Sequence, residues 1–291
     1  MDYEGAVLDL DGTVYRGDQL LPGAAAAVER LRAAGVSVLF FSNNPTRSRA
    51  AYAERLTALG LEVAPGEVLS AGTVTTRYLA DEHADDAVFL VGAPGLRRQF
   101  EAADLGLVAD ATEADVLVVS YDSEFGYDDM LAGYRAMAAG ATFYGTDPDL
   151  LVPAADGMVP GSGAVINAVG GVLDREPAKV LGKPSAEARR AALGELDARP
   201  EHCVVVGDRL NTDIALGERA GMTTVLVRTG VTTDADLETS DVSPDHVVDS
   251  LADLASVRSA RDARIRRSRQ PTGERTPSAA LKSAIAWWSA S

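Results

Sequence analysis

Asp9 and Asp11 stand two residues apart, directly after the apolar run Ala6-Val7-Leu8, and Gly12 follows them. Residues two apart in an extended chain share a face, so both carboxylates point the same way. Paired carboxylates can divide nucleophilic and acid–base work, or hold a divalent cation. Gly12 permits a sharp turn just beyond them. A polar turn built on an Asp-Gly pair would read the same, so this cluster does not decide alone.

Three further polar clusters each follow an apolar stretch. Ser42-Asn43-Asn44 comes after Val36–Phe41 and offers a hydroxyl and amides to a phosphate oxygen. Gly182-Lys183-Pro184-Ser185 comes after Val180-Leu181, and Lys183 is one of only three lysines, with Lys179 and Lys282. An ammonium there can neutralise phosphate as a point charge. Gly207-Asp208-Arg209-Leu210-Asn211-Thr212-Asp213 follows Cys203–Val206. It sets Asp208 at a strand end and Asp213 one turn into a helix, where both can serve one cation. Each cluster has a plainer reading: helix entry for Ser42, a strand-end lysine, and for Asp213 a first-turn acid favoured by the helix dipole. Four of them at the carboxyl ends of four expected strands point to a site.

The elements that must position these groups alternate strand and helix. Ala6–Leu8 and Val36–Phe41 read as buried strands, with helices over Pro22–Ala34 and from a Thr46 cap to Leu59. Later the pattern returns: strand Val180-Leu181, helix Ala186–Leu196, strand Cys203–Val206, helix Thr212–Ala220, strands Thr224–Val227 and His246–Val248, and a last helix over Leu251–Val257. Between the halves lie strands near Val88–Val91, Val116–Val119 and Thr142–Tyr144, with helices near Leu96–Ala103, Asp128–Ala139 and Ala164–Val172. This predicts a parallel α/β sheet interrupted by a second α/β unit.

Composition narrows the function classes. A net charge of −16 over 291 residues argues against general nucleic-acid binding. No apolar run is long enough to span a membrane, and the acidic start Met1-Asp2-Tyr3-Glu4 lacks a secretory pattern, so a cytoplasmic location is expected. A single cysteine, Cys203, and three scattered histidines argue against disulfides and a zinc site, but not against a hard cation on carboxylates. The acidic, lysine-poor composition fits a salty cytoplasm, where ions screen self-repulsion. A GC-rich genome would also favour Arg over Lys, but does not require the acidity. Residues 258–291 carry eight Arg/Lys and two Asp/Glu, net +6, which leaves −22 for the rest. With Trp287 and Trp288, they are expected to form a largely disordered tail, a docking segment and folding back being the alternatives.

In this order, the motifs resemble the haloacid dehalogenase (HAD) superfamily of phosphatases, over roughly residues 5–257. The large insertion falls between Ser42 and Lys183. That position, with Phe41-Ser42-Asn43-Asn44, Thr146-Asp147-Pro148-Asp149, Pro160-Gly161-Ser162-Gly163 and Gly182-Lys183-Pro184, is similar to the C2-capped subclass, the NagD-like and 4-nitrophenylphosphatase-like proteins. Asp147 departs from the pattern, which usually has Asn there, and this bears on substrate preference.

The resemblance implies a Rossmann-like parallel core over residues 1–80 and 178–257, with an inserted α/β C2-type cap over residues 81–177. It implies hydrolysis of a small phosphate monoester, such as a sugar phosphate, phosphoglycolate or a nucleotide. Asp9 would be the nucleophile and Asp11 the acid and base. Ser42, Asn43 and Lys183 would bind the phosphate. Mg²⁺ would be held by Asp9, the Asp11 carbonyl and Asp208, with Asp213 supporting. Tyr121, Tyr127, Asp147 and Asp149 would act in substrate selection. The expected partner is a small phosphorylated metabolite, with a homodimer left open. The rival readings are a phosphotransferase and an idle HAD-fold binding protein. A nucleotide-binding Rossmann domain is disfavoured, because no Gly-x-Gly-x-x-Gly follows the first strand.

Overall fold

The structure is a computed structural model that describes residues 3–154 and 157–257. The basic segment 258–291, with Trp287 and Trp288, lies outside the described residues.

The chain opens with β1 (Gly5–Leu8), a small hairpin of β2 (Tyr15–Arg16) and β3 (Gln19–Leu20), α1 (Ala24–Ala33), β4 (Ser37–Ser42), α2 (Arg49–Ala58), β5 (Val68–Ser70) and α3 (Ala71–Glu82). There follow β6 (Ala87–Val91), α4 (Pro94–Ala102), β7 (Gly106–Leu107), β8 (Val116–Val119), α5 (Tyr127–Ala139) and β9 (Thr142–Gly145). A hairpin of β10 (Leu151–Ala154) and β11 (Gly157–Pro160) comes next, then α6 (Ser162–Gly171) and β12 (Lys179–Val180). The chain continues through α7 (Ala186–Leu196), β13 (Cys203–Gly207), α8 (Ala215–Ala220), β14 (Thr223–Val227), α9 (Asp234–Thr239) and β15 (His246–Val248).

Two parallel sheets result. The first has the order β15-β14-β13-β1-β4-β5, the second β12-β9-β8-β6-β7. The central strands of the first are continuous apolar runs because both faces are covered. Ala6, Leu8, Phe40 and Val206 face α1 and α2, packing with Val28, Leu31, Tyr52 and Leu56. Val7, Leu39, Phe41 and Val205 face the other way, packing with Leu79 of α3, Leu196 of α7 and Leu216 of α8. That second cluster continues onto Leu90, Val116 and Val118, so one apolar layer joins the two sheets. Each fully buried side chain of this size contributes about 1.5–3 kcal/mol. The far face of the second sheet packs Leu117 and Val119 on Met137, Ile166 and Val169.

Leu8 lies level with Val206 on one neighbouring strand and Phe40 on the other. The residues that leave β1, β4 and β13 therefore emerge side by side at the sheet's carboxyl edge, the ligand-binding edge of open α/β sheets.

Some details differ from expectation. The strand before Lys183 joins the second sheet rather than the first: Lys179 and Val180 pair with Tyr144 and Gly145. The zipper runs on, with Leu181 N–H bonded to Gly145 O at 2.9 Å. Ser48, not Thr46, caps α2, its hydroxyl accepting from Ala51 N–H at 3.2 Å. Thr46 is occupied with the Asn44 side chain. The helix expected from Thr212 begins as a wider turn over Leu210–Ile214 before α8, and the last helix is a tight 3₁₀ segment over Leu251–Ser256. Helices α3 and α9 and the β10–β11 hairpin were not expected.

Candidate active site

Lys183 occupies the centre of the carboxyl edge. Its Nζ donates to Asp9 Oδ1 at 2.6 Å, Asp213 Oδ1 at 2.6 Å and the Phe41 carbonyl at 2.8 Å. It is buried, as are both carboxylates. Burial alone would discharge the ammonium, but Asp213 and Asp9 outweigh it and raise its pKa above the ordinary lysine value. The lysine arrives on a loop of the second sheet, and Asn43 holds it there. Asn43 Oδ1 accepts the Lys183 N–H at 2.8 Å, and its Nδ2 donates to the Lys183 carbonyl at 3.3 Å and to Asp149 Oδ2 at 3.2 Å. Thus the Asn43 side chain clamps two loops.

The carboxylates crowd one another. Asp9, Asp208 and Asp213 each offer an oxygen within 4.8 Å of the others. Burial, with Asp213 and Asp208 adding to it and Lys183 opposing, pushes Asp9 well above the carboxylate range. Burial and then Asp213 push Asp208 up to about 7. Asp208 Oδ2 accepts the Val231 N–H at 2.8 Å, while its Oδ1 is buried with no hydrogen-bond partner among the described residues. An all-oxygen set with an orphaned buried oxygen and surplus negative charge fits a hard divalent cation. The Asp11 side chain stays outside this trio: Oδ2 accepts the Tyr15 hydroxyl at 3.0 Å. Burial raises the Asp11 carboxyl from its usual value, against the Tyr15 hydrogen bond and the charges of Arg55 and Arg47.

Asp9, Asp11 and Lys183 line an open cleft together with Ser42, Asn43, Asn44, Asp149, Val152, Pro153, Arg209 and Thr212. The Ser42 hydroxyl is buried, accepting from the Asn44 N–H at 3.1 Å and from Tyr52 Oη at 3.2 Å. Of the residues expected in substrate selection, only Asp149 lines the cleft. Tyr127 starts α5 and is 72 % exposed, because the helix buries its face through Gly133, Ala136 and Met137. Tyr121 is not among the lining residues; its N–H donates to Ser162 Oγ at 3.1 Å. Asp147 is buried behind Asp149, where burial and then the Asp149 charge lift it to about 8. Arg209, Thr212, Val152 and Pro153 were missed. Arg209 and Thr212 lie inside the Gly207–Asp213 motif, and Asp156-Gly157 was a hairpin signal.

The chain belongs to the haloacid dehalogenase-like hydrolase family, whose profile matches residues 6–106, while a HAD-hydrolase-like profile matches residues 180–254. Within it the chain falls in the NagD-like subclass. Sugar-phosphatase AraL of Bacillus subtilis is 32 % identical over 253 residues, covering 87 % of this chain and 92 % of that one. A p-nitrophenyl phosphatase from Archaeoglobus fulgidus superposes with a TM-score of 0.82 at 38 % identity, covering 88 % of this chain and 99 % of its own. NagD from the E. coli K-12 strain superposes with a TM-score of 0.79 at 26 % identity, covering 88 % and 100 %. Among the described residues no helix is long and apolar enough to cross a membrane.

Proposed function

We propose that this chain is a phosphatase that hydrolyses a small phosphate monoester, such as a sugar phosphate, phosphoglycolate or a nucleotide, through a covalent phosphate on Asp9. The observation that carries the reading is Asp9 itself: a strand-end carboxylate that lines the cleft, touched by the Lys183 ammonium at 2.6 Å and crowded by Asp208 and Asp213. A sugar phosphatase and a nitrophenyl phosphatase among its relatives support it.

A carboxylate oxygen of Asp9 attacks phosphorus while the bond from phosphorus to the leaving oxygen breaks. Asp11 gives its proton to that oxygen. Asp11 then takes a proton from water, whose oxygen attacks phosphorus and frees Asp9. Two displacements replace one difficult step. Tyr15 fixes the Asp11 carboxylate through the bond at 3.0 Å. Ser42, backbone N–H groups near Asn43, and Lys183 hold phosphoryl oxygens, and this positioning and charge neutralisation carries most of phosphoryl-transfer catalysis. Asp9, Asp208 and the Asp11 carbonyl, with Asp213 in support, would hold Mg²⁺, which when bound supplies positive charge beside the transferring group. Residues 1–80 and 178–257 act as the catalytic core, and residues 81–177 as a cap that shields the cleft from water, with β12 extending the cap's sheet to Val180.

The test is p-nitrophenyl phosphate hydrolysis with and without Mg²⁺, at low and molar salt, by wild type and Asp9→Asn. Metal-dependent turnover that the substitution abolishes is expected. A folded, metal-loaded wild type inert toward this ester and a panel of natural monoesters would make the binding-protein reading the better one.

A further inference from the structure

The β10–β11 hairpin contributes Val152 and Pro153 to the cleft, yet it buries little apolar surface of its own. Leu150, Leu151 and Met158 are 55 %, 49 % and 47 % exposed. A segment with so few apolar contacts opens at low free-energy cost unless discrete polar bonds hold it. Two such bonds cross from the first sheet's loops. One is the Asn43 side chain on Asp149. The other comes from Arg209, whose guanidinium donates to the Leu151 carbonyl at 2.9 Å and stands 3.6 Å from Asp149 Oδ1.

Arg209 is anchored at its other end to the carboxylate cluster. Its backbone N–H donates to Asp213 Oδ2 at 3.1 Å, and its carbonyl accepts from the Asp213 and Ile214 N–H groups, both at 3.1 Å. One residue therefore ties the hairpin to the turn between Asp208 and Asp213. A planar guanidinium sends donors in fixed, divergent directions to the carbonyl and the carboxylate, a geometry that a compact lysine ammonium does not reproduce at this site. Asp149 Oδ1, buried and without a hydrogen-bond partner among the described residues, has the Arg209 charge as its compensation at 3.6 Å.

We propose that Arg209 is a positioning residue that fastens the β10–β11 hairpin and Asp149 over the cleft, and so sets how firmly the leaving alcohol is held. This rests on the phosphatase reading, but its test has an arm that does not. Arg209→Met keeps the stem and removes the fork; Arg209→Lys keeps the charge and one bond. In full-length protein with Mg²⁺, KM and kcat are measured for p-nitrophenyl phosphate and glycerol 3-phosphate, with Ki for inorganic phosphate. Amide exchange is followed over residues 149–160 and 203–208.

Arg209→Met is expected to raise KM about tenfold, the scale of one lost charge-assisted hydrogen bond, with kcat within about threefold. Ki for inorganic phosphate, which needs no leaving-group contact, should stay within about twofold. Exchange over 149–160 should speed up about tenfold while 203–208 is unchanged, with Arg209→Lys intermediate. A Ki rising in step with KM would make Arg209 a direct phosphate ligand and overturn the proposal. Faster exchange throughout the chain would reduce it to general stability, and unchanged exchange over 149–160 would refute the tether. If wild type hydrolyses no monoester, the phosphatase reading fails, while the exchange comparison still decides the tether.

Discussion

Lys183→Met retains much of the buried stem and removes an ammonium that touches Asp9, Asp213 and the Phe41 carbonyl at 2.6, 2.6 and 2.8 Å. Removing one partner of a buried ion pair costs about 3–5 kcal/mol, because the remaining charge is left uncompensated. Here two carboxylates lose their partner, but both can take up protons, so the low end, about 3 kcal/mol, is expected. At about 2–4 °C per kcal/mol for a chain of this size, Tm in a chelator should fall by roughly 6–12 °C. Saturating Mg²⁺ should narrow the gap, since a cation bound by the folded carboxylates stabilises the variant more than the wild type. Activity should fall about 10²–10³-fold, the usual loss when a charge that stabilises the transition state is removed. The assays are thermal unfolding with and without Mg²⁺ and initial rates on p-nitrophenyl phosphate. A variant in chelator with a Tm equal to wild type would refute the argument that Lys183 organises the carboxylates. A gap that Mg²⁺ widens would refute the charge account.

Three other perturbations follow from the same geometry. Asp147 titrates near 8 when folded, against about 3.9 unfolded, so the folded chain keeps a proton that the unfolded chain has released. Stability therefore falls as pH rises from about 4 to about 8, and Asp147→Asn should flatten that fall by roughly 5 kcal/mol; Tm curves between pH 5 and pH 9 with equal slopes would sink this. A Cβ on Gly230 would run into Asp208, so Gly230→Ala should weaken Mg²⁺ binding about 10–100-fold, the scale for disturbing a ligand's support, and calorimetric titration giving wild-type affinity would count against it. Tyr15→Phe removes the bond to Asp11 and should lower kcat/KM about tenfold; an unchanged rate would show that Asp11 needs no such anchor.

The motif residues that form the cleft were legible because chemistry at an α/β strand end leaves a local mark. Asp9 and Asp208 follow short runs of buried aliphatic residues, and Ser42 ends such a run. Those runs are buried almost throughout because both sheet faces are covered, so the first polar side chain after each marks the strand's carboxyl end. The hairpin over the cleft was not legible. Pro153 and Pro160 argue against a strand, and both belong to an isolated two-stranded pair where a missing N–H is tolerated. Helix α3 was missed as well. Its start is set by Ser70, which ends β5 and accepts from Thr73 N–H at 3.1 Å, so strand and cap overlap in one residue.

The sequence by itself determined the family, the parallel α/β order and the residues Asp9, Asp11, Ser42, Lys183, Asp208 and Asp213, because these depend on residue type beside an apolar run. Only the tertiary structure decided how they are used together. The register of β13, β1 and β4 brings the carboxylates within reach of one ion. The strand before Lys183 crosses to the second sheet and sends its ammonium back between Asp9 and Asp213. Asn43 and Arg209 become clamps on residues 149–151 only because the fold closes a separation of 106 residues in one case and 58 in the other. Such contacts join segments whose local sequences carry no trace of one another, so they depend on the packed core and cannot be read from spacing.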